Sequence, residues 1–160
     1  MARYRRTIRR AGRHRVGCRP RRNHSRYSRP LGHPVRALLD TSVVIATDVA
    51  ALDGELAISA VTLAELHFGV LVAKQRAVRA ERLRRLLLLQ RSFDALPLDE
   101  AVAASYGQIA AAVVDAGRKP RARSMDLLIA ATAHAHSAKL YTRNADDFRG
   151  IEELVDIIEV

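Results

Sequence analysis

Short apolar segments alternate along the chain with segments of helical period, and this order predicts an α/β domain with a mainly parallel sheet. The chain has 160 residues, of which 49% are hydrophobic, so we expect one domain with a sizeable core. Aromatic residues make up only 4% and tryptophan is absent, so this core must be aliphatic. No uninterrupted apolar run approaches the roughly 20 residues that span a bilayer. We therefore expect a cytoplasmic protein that does not enter the membrane.

The basic charge is concentrated in the first 34 residues. They contain twelve arginines and no acidic residue, whereas residues 35–160 carry fifteen basic against seventeen acidic residues. With few large apolar residues and no period, this segment cannot repay the entropy of ordering, so we expect 1–34 to be a disordered extension. Three interpretations stay open for it: an arm that binds nucleic-acid phosphates, an extension upstream of a native start at Val35, or an inert or targeting tail. The folded domain is expected to span 35–160.

The single cysteine, Cys18, also lies in this extension. One cysteine cannot form an internal disulfide, so a disulfide-stapled secreted scaffold is excluded. It equally excludes a zinc site built from several thiolates.

Five short apolar segments bounded by turn-forming residues predict the strands. In order, they are the start of Ala37–Ile45 up to Asp40, then Leu56–Ser59, Phe93–Leu98, Lys139–Thr142 and Val155–Val160. A turn or helix is expected to begin directly after Asp40, because polar residues follow it there.

The segments between the strands carry apolar residues at helical spacing. The predicted helices are Val61–Val72, Lys74–Gln90, Asp99–Ala116 and Ser124–Ser137. Ser59 and Thr62 are both suited to cap the first helix, and Gly117 suits the position after the third. The remaining connections are predicted at Asp48–Gly54, Arg118–Arg123 and Ala145–Phe148.

Three carboxylates occur where strands end or helices begin. Asp40 interrupts an apolar strand, Glu65 lies in SAVTLAEL, and Asp126 lies near the start of the helix that follows the basic loop. Each has an ordinary structural alternative. Asp40 would cap the turn that follows it, and Glu65 would close a capping box with Thr62. Asp126 would be the second helical residue, where an acid favours the helix dipole.

A fourth polar group follows the predicted strand Lys139–Thr142. Asn144, Asp146 and Asp147 lie there in YTRNADDF, where an Asn-Asp turn is the ordinary alternative. Because ligand sites of parallel sheets form outside the carboxyl ends of the strands, all these side chains are expected on one face. Oxygen ligands without cysteine suit Mg²⁺ or Mn²⁺. A divalent cation would also relieve the repulsion between clustered carboxylates.

Four segments, in this order and at these separations, resemble the PIN-domain ribonucleases: LLDTSVVI, SAVTLAELHFGV, MDLLIAATA and YTRNADDF. The resemblance covers about residues 35–160 and is to the VapC type, the toxins of bacterial toxin–antitoxin pairs. It implies a five-stranded, mainly parallel sheet flanked by helices. It also implies a Mg²⁺- or Mn²⁺-dependent endoribonuclease that hydrolyses RNA phosphodiester bonds with metal-activated water and leaves 5′-phosphate and 3′-hydroxyl ends.

The resemblance also implies roles for the acids. By their positions in the motifs, Asp40, Glu65 and Asp126 carry over as catalytic and metal-binding residues. The early slot of the fourth motif is Asn144 here, a weaker ligand because it is uncharged. Asp147 or its neighbour Asp146 then substitutes or acts through water.

A hydroxyl near the metal is expected from Thr41 or Ser42, with Ser42 preferred. Four basic residues just before Asp126 are candidate contacts for RNA phosphates, with solubility as the alternative: Arg118, Lys119, Arg121 and Arg123. The histidines are expected to be structural or on the surface: His67, His134 and His136.

The predicted helix Lys74–Gln90 ends in LLLLQ and is more apolar than a solvated surface requires. The resemblance implies two protein partners, a second copy in a homodimer and a cognate antitoxin. We expect the antitoxin to cover the site and to place an arginine among the carboxylates.

Two other functions compete with this interpretation. A non-catalytic PIN-like RNA-binding module would accommodate the uncharged Asn144. A phosphoryl-transfer or signalling domain is disfavoured, because Asp40 has no second acid two residues later and the chain has no glycine-rich phosphate loop.

Overall fold

A four-stranded parallel sheet forms the centre of the computed structural model, which describes residues 37–46, 52 and 55–160. These residues belong to one compact unit, His33–Val160. The strands are β1 (Ala37–Leu39), β2 (Leu56–Ala57), β3 (Lys139–Thr142) and β4 (Ile157–Glu159). Their order in the sheet is β2-β1-β3-β4. The predictions for 1–34, and all of the connection predicted at 48–54 except residue 52, lie outside the described residues.

The α/β fold with a parallel sheet is confirmed, but the prediction of five strands is wrong for the described part of the chain. The segment predicted as a strand over Phe93–Leu98 forms one isolated bridge, between Leu96 and Ser59. Two backbone hydrogen bonds make this bridge, from the Leu96 N–H to the Ile58 carbonyl and from the Ala60 N–H to the Leu96 carbonyl, both 2.8 Å. Pro97 follows at once and has no N–H to donate, so the pairing stops there.

Five helices are present in the described residues, and two short 3₁₀ turns lie where loops were predicted. The helices are α1 (Thr41–Ile45), α2 (Ala60–Leu71), α3 (Arg76–Ser92), α4 (Glu100–Asp115) and α5 (Ser124–Ala135). The 3₁₀ turns are Pro120–Arg123 and Ala145–Phe148. The predicted helix Lys74–Gln90 therefore begins and ends two residues later than expected, because apolar spacing does not fix a helix end.

The main core lies between the sheet and the pair of helices α4 and α5, and it is almost wholly aliphatic, as predicted. Its members include Leu38, Ile109, Leu127, Leu140 and a single aromatic residue, Phe148. In α5, Ile129 to Ala133 are all buried, so this helix is enclosed on most sides. The acid at its start, Asp126, consequently stands at the edge of the core. None of the described helices is long and apolar enough to cross a membrane.

Candidate active site

Asp40 lies directly after β1, at the centre of the sheet. Its backbone N–H donates to the Tyr141 carbonyl of β3 at 2.9 Å, and the residue is only 6% exposed. The side chain precedes α1 but accepts no backbone N–H of that helix, so its interpretation as a cap is wrong. It instead accepts two hydroxyl hydrogen bonds at Oδ2, from Thr142 at 2.9 Å and from Ser42 at 2.6 Å. No donor among the described residues reaches Oδ1.

The two hydroxyl groups on Asp40 are oriented by the backbone. The Arg143 N–H donates to Ser42 Oγ at 3.0 Å, and the Asn144 N–H donates to Thr142 Oγ1 at 3.1 Å. Because both oxygens accept these bonds, their own protons turn toward the carboxylate. Sequence reasoning missed Thr142, whose only signal is its place as the last residue of a predicted strand.

Glu65 lies on α2 and faces α1. The helix is capped by Ser59, whose Oγ accepts the Thr62 N–H at 2.9 Å, so the predicted capping box between Thr62 and Glu65 is wrong. Glu65 Oε2 accepts a hydrogen bond from Thr41 Oγ1 at 2.5 Å. The adjacent hydroxyls therefore serve different acids: that of Thr41 holds Glu65 and that of Ser42 holds Asp40.

The pKa of Asp126 shows that the four acids lie close enough to affect one another. Asp126 is the third residue of α5, after Ser124 and Met125, rather than the second as expected. Its pKa is raised from the ordinary 3.8 to about 6, first by burial and then by the negative charges of Asp147, Asp40 and Glu65 in that order, against a lowering effect of Arg123. The four carboxylates of Asp40, Glu65, Asp126 and Asp147 therefore share one environment, which we call the acidic cluster.

Asp147 joins this cluster from the Ala145–Phe148 turn. Its Oδ1 pairs with Arg123 Nη1 at 2.9 Å, and the Asn144 amide nitrogen donates to its Oδ2. Its neighbour Asp146 pairs instead with Arg149 at 2.7 Å on the surface. Of the two acids that the sequence left open, Asp147 is thus the one next to Asp126, and Asn144 supports it.

The donor set of the acidic cluster fits a hydrated Mg²⁺ or Mn²⁺. All the groups are oxygen donors, and the hydroxyl groups of Ser42 and Thr142 both bind one oxygen of Asp40, Oδ2. In the described part of the chain, no three acidic, histidine or cysteine side chains close directly around one point. A Mg²⁺ ion usually keeps several of its water ligands and needs only one or two carboxylates directly.

Two of the four candidate RNA contacts are tied to the protein itself. Arg118 donates to the carbonyls of Arg149 at 2.9 Å and Asp146 at 3.1 Å. Arg123 donates to the same Asp146 carbonyl at 2.7 Å, besides its ion pair with Asp147. Lys119 and Arg121 are exposed, and within the described residues neither reaches an acceptor.

The histidines make structural contacts away from the acids. His134 Nδ1 lies 3.0 Å from Ser105 Oγ, between α5 and α4. His67 Nε2 lies 3.5 Å from the Gln90 amide nitrogen, between α2 and α3. His136 follows the last residue of α5.

Comparison with known proteins places this geometry in a family. Residues 37–154 match the model of the PIN domain. The chain is 36% identical over 135 residues to Ribonuclease VapC5 of Mycobacterium tuberculosis, which covers 79% of this chain and 97% of that protein. It is 36% identical over 121 residues to Toxin FitB of Neisseria gonorrhoeae, covering 74% of this chain and 85% of that protein.

Solved structures give the same result. The crystal structure of VapBC-5 from Mycobacterium tuberculosis, a member of the VapBC family of toxin–antitoxin systems, superposes with a TM-score of 0.70 at 36% identity, over 79% of this chain and all (100%) of that one. The crystal structure of FitAcB from Neisseria gonorrhoeae superposes with a TM-score of 0.60 at 30% identity, over 77% of this chain and 96% of that one. The matched range contains all four acids, and the chain belongs to the PIN-domain family as a VapC-type member.

Proposed function

We propose that this protein is an endoribonuclease that uses Mg²⁺ or Mn²⁺ and acts as the toxin of a toxin–antitoxin pair. The observation that carries the proposal is the acidic cluster, in which burial and the carboxylates of three other segments raise the pKa of Asp126 to about 6. A site that gathers this much negative charge needs a cation before it can accept an anionic phosphodiester. The related ribonuclease VapC5 and toxin FitB support the activity class.

In this proposal Asp40 and Asp126 hold the cation, and Glu65 and Asp147 reach it directly or through water. The bound cation supplies Lewis acidity, activates water for attack on phosphorus and offsets the charge of the transition state. Thr41 holds Glu65 as a hydrogen-bond acceptor, which suits Glu65 to orient the attacking water or take its proton. The expected products are 5′-phosphate and 3′-hydroxyl ends.

Protein partners belong to the same proposal. A groove of about 420 Å³ runs between α1, α2 and α3, and Thr41 and Glu65 lie in its wall with apolar Val44, Leu66 and Leu86. We propose that a cognate antitoxin occupies this groove, since it leads to an acid of the cluster. The relatives solved as VapBC and FitAcB support such a partner. Recovery of the toxin without the product of its neighbouring gene, when both are expressed, would argue against it.

A homodimer is proposed from exposed apolar side chains on α2 and α3. Phe68 and Leu71 are 67% and 75% exposed at the end of α2, and Leu87 and Leu88 are exposed on α3. Several large apolar side chains exposed on two neighbouring helices are typical of a protein interface. Light scattering of the purified chain should give twice the chain mass, and a monomer at all concentrations would reject the dimer.

A second candidate is a PIN-like module that binds RNA without cutting it. It is favoured by Asn144, because this slot lacks the charge of an aspartate. The same cleavage experiment separates the two candidates.

The proposal is tested by incubating the purified full chain with a broad set of RNAs in Mg²⁺ or Mn²⁺ and in EDTA. We expect discrete cuts with either metal, none in EDTA, and none from Asp126→Asn. The matched control is Asp94→Asn, which removes an exposed carboxylate outside the acidic cluster and should cut normally. If the folded, antitoxin-free chain cuts no RNA, the nuclease is rejected in favour of the binding module.

A further inference from the structure

A pocket of about 290 Å³ lies beside the acidic cluster, between the Pro120–Arg123 and Ala145–Phe148 turns. Asp147 belongs to the acidic cluster and also forms part of the wall of the pocket, so the pocket adjoins the cluster. A nucleic-acid strand that passes the four acids would therefore pass this pocket as well.

The rim of the pocket is strongly cationic, in contrast to the cluster next to it. Asp147 is the acidic residue in its lining, against four basic residues: Arg118, Lys119, Arg123 and Arg149. A rim with this balance attracts an anion such as a phosphate group.

The three arginines of the rim already have acceptors within the protein. Arg118 binds two carbonyls, Arg123 binds Asp147, and Arg149 binds Asp146. Lys119 is exposed and has no acceptor among the described residues. Its ammonium group is the rim cation that can take up an external phosphate without breaking an existing bond.

The floor of the pocket is apolar. Leu127 and Val113 line it and are buried in the main core, and Ala122 lies at its side. Leu127 and Val113 are only 1% and 5% exposed, so they close the inner end of the pocket and offer little surface to a ligand. Proteins that bind single-stranded nucleic acid follow its backbone with positive charge, which the rim of this pocket supplies.

We propose that this pocket holds the nucleotide next to the cleaved phosphodiester bond, with Lys119 on its phosphate. The inference rests on the proposed function only in taking RNA as the ligand of the neighbouring site. It also narrows the sequence-based expectation for the basic residues: Arg118 and Arg123 hold the walls of the pocket, and Lys119 contacts RNA.

The test measures binding rather than cleavage, with the full chain in Mg²⁺ and a short fluorescein-labelled single-stranded RNA whose phosphorothioate linkages resist hydrolysis but keep the backbone charge. Lys119→Gln should weaken binding roughly 3- to 10-fold and reduce the slope of log affinity against log salt by about 0.7, the value for one phosphate contact on a single strand. The control Lys74→Gln removes an identical exposed charge between α2 and α3, outside the pocket, and should change neither quantity.

A second variant tests the space rather than the charge. Ala122→Phe fills the pocket from an exposed position, so the fold should tolerate it, and it should weaken binding without changing the salt slope. The pocket proposal is overturned if Lys119→Gln behaves as Lys74→Gln does, or if Ala122→Phe binds RNA as tightly as the parent.

The two proposals fail separately. A chain that cuts no RNA but loses affinity through Lys119→Gln rejects the nuclease and keeps the nucleotide pocket. A chain that cuts RNA with no effect of Lys119→Gln on binding rejects the pocket alone.

Discussion

Hydroxyl side chains determine where the buried carboxylates of this site point. Thr142 and Ser42 each accept a backbone N–H and donate to Asp40 Oδ2, so the carboxylate is held from two sides. Thr41, on α1, donates a hydrogen bond to Glu65. Preorganised groups of this kind cost no rearrangement when charge develops in a reaction.

Replacing Thr142 by valine should therefore impair both stability and cleavage. The change keeps the shape but removes a donor to Asp40 and the acceptor of the Asn144 N–H, which should lower the free energy of unfolding by about 1–3 kcal/mol. Misplacement of Asp40 should lower the cleavage rate at least about tenfold. Denaturant unfolding and a cleavage time course measure the two effects.

Thr132→Val is the matched control for this change. Thr132 is equally buried but donates to the Leu128 carbonyl within α5, away from the acids. Its cleavage rate should stay near that of the parent. Equal losses of cleavage in the two variants would show that Thr142 has no particular role in the site.

The residues that carry charge could be predicted from the sequence, as could a supporting hydroxyl at Thr41 or Ser42, but the support from Thr142 could not. Asp40, Glu65 and Asp126 stand in recognisable motifs, whereas threonine at the end of a strand, as in Thr142, is ordinary. Adjacent Asp146 and Asp147 point to different partners, because the arginines that hold them come from a distant loop or the next turn. Such contacts depend on tertiary structure, which local pattern does not encode.

At the scale of elements, the two 3₁₀ turns are braced against each other. The Asp146 carbonyl accepts hydrogen bonds from both Arg118 and Arg123, and Arg123 also pairs with Asp147. Asp126 follows Arg123 by three residues, so the brace fixes the fourth acid relative to the start of α5.

Arg123→Lys should loosen this brace while keeping the charge. A lysine has no planar fork and cannot hold the Asp146 carbonyl and the Asp147 carboxylate in the same geometry. We expect kcat to fall severalfold with a smaller change in KM, since Arg123 positions an acid rather than the RNA. Steady-state cleavage kinetics give both constants.

Arg84→Lys serves as the control, because Arg84 pairs with Glu81 on the exposed surface of α3. It should leave both constants unchanged. A rise in KM with unchanged kcat for Arg123→Lys would instead make Arg123 an RNA contact.

The bounds of the helices can be predicted closely from the sequence, whereas the strands also depend on which segments pair with each other. The helices around Glu65 and Asp126 begin within one residue of the predicted positions. The segment over Phe93–Leu98 has strand-like composition, but Pro97 limits it to a single bridge. Composition predicts a preference for extended backbone, but it does not determine with how many strands the segment pairs.

Across the whole molecule, sheet order brings the site together. β1 and β3 are neighbours in the sheet, with Leu39 beside Tyr141, so Asp40 and Thr142 emerge side by side at the carboxyl edge. The enclosed helix α5 delivers Asp126 to the same edge, as the rule for parallel sheets predicts. The alternation of strands and helices in the sequence predicts this edge of the sheet. It does not predict that β1 and β3 are neighbours, because that depends on where the chain crosses over.

The acidic cluster as a cation centre is tested most directly by calorimetric titration of the full chain with Mn²⁺ in the absence of RNA. We predict saturable binding that Asp126→Asn weakens at least about tenfold and Asp94→Asn leaves unchanged. Since the pKa of Asp126 is raised to about 6, its carboxyl group holds a proton below that pH and must lose it to face the cation. Mn²⁺ affinity should therefore rise as the pH increases through about 6. Equal affinity of the parent and Asp126→Asn, or affinity that does not change with pH across this range, would contradict a cation centre at the cluster.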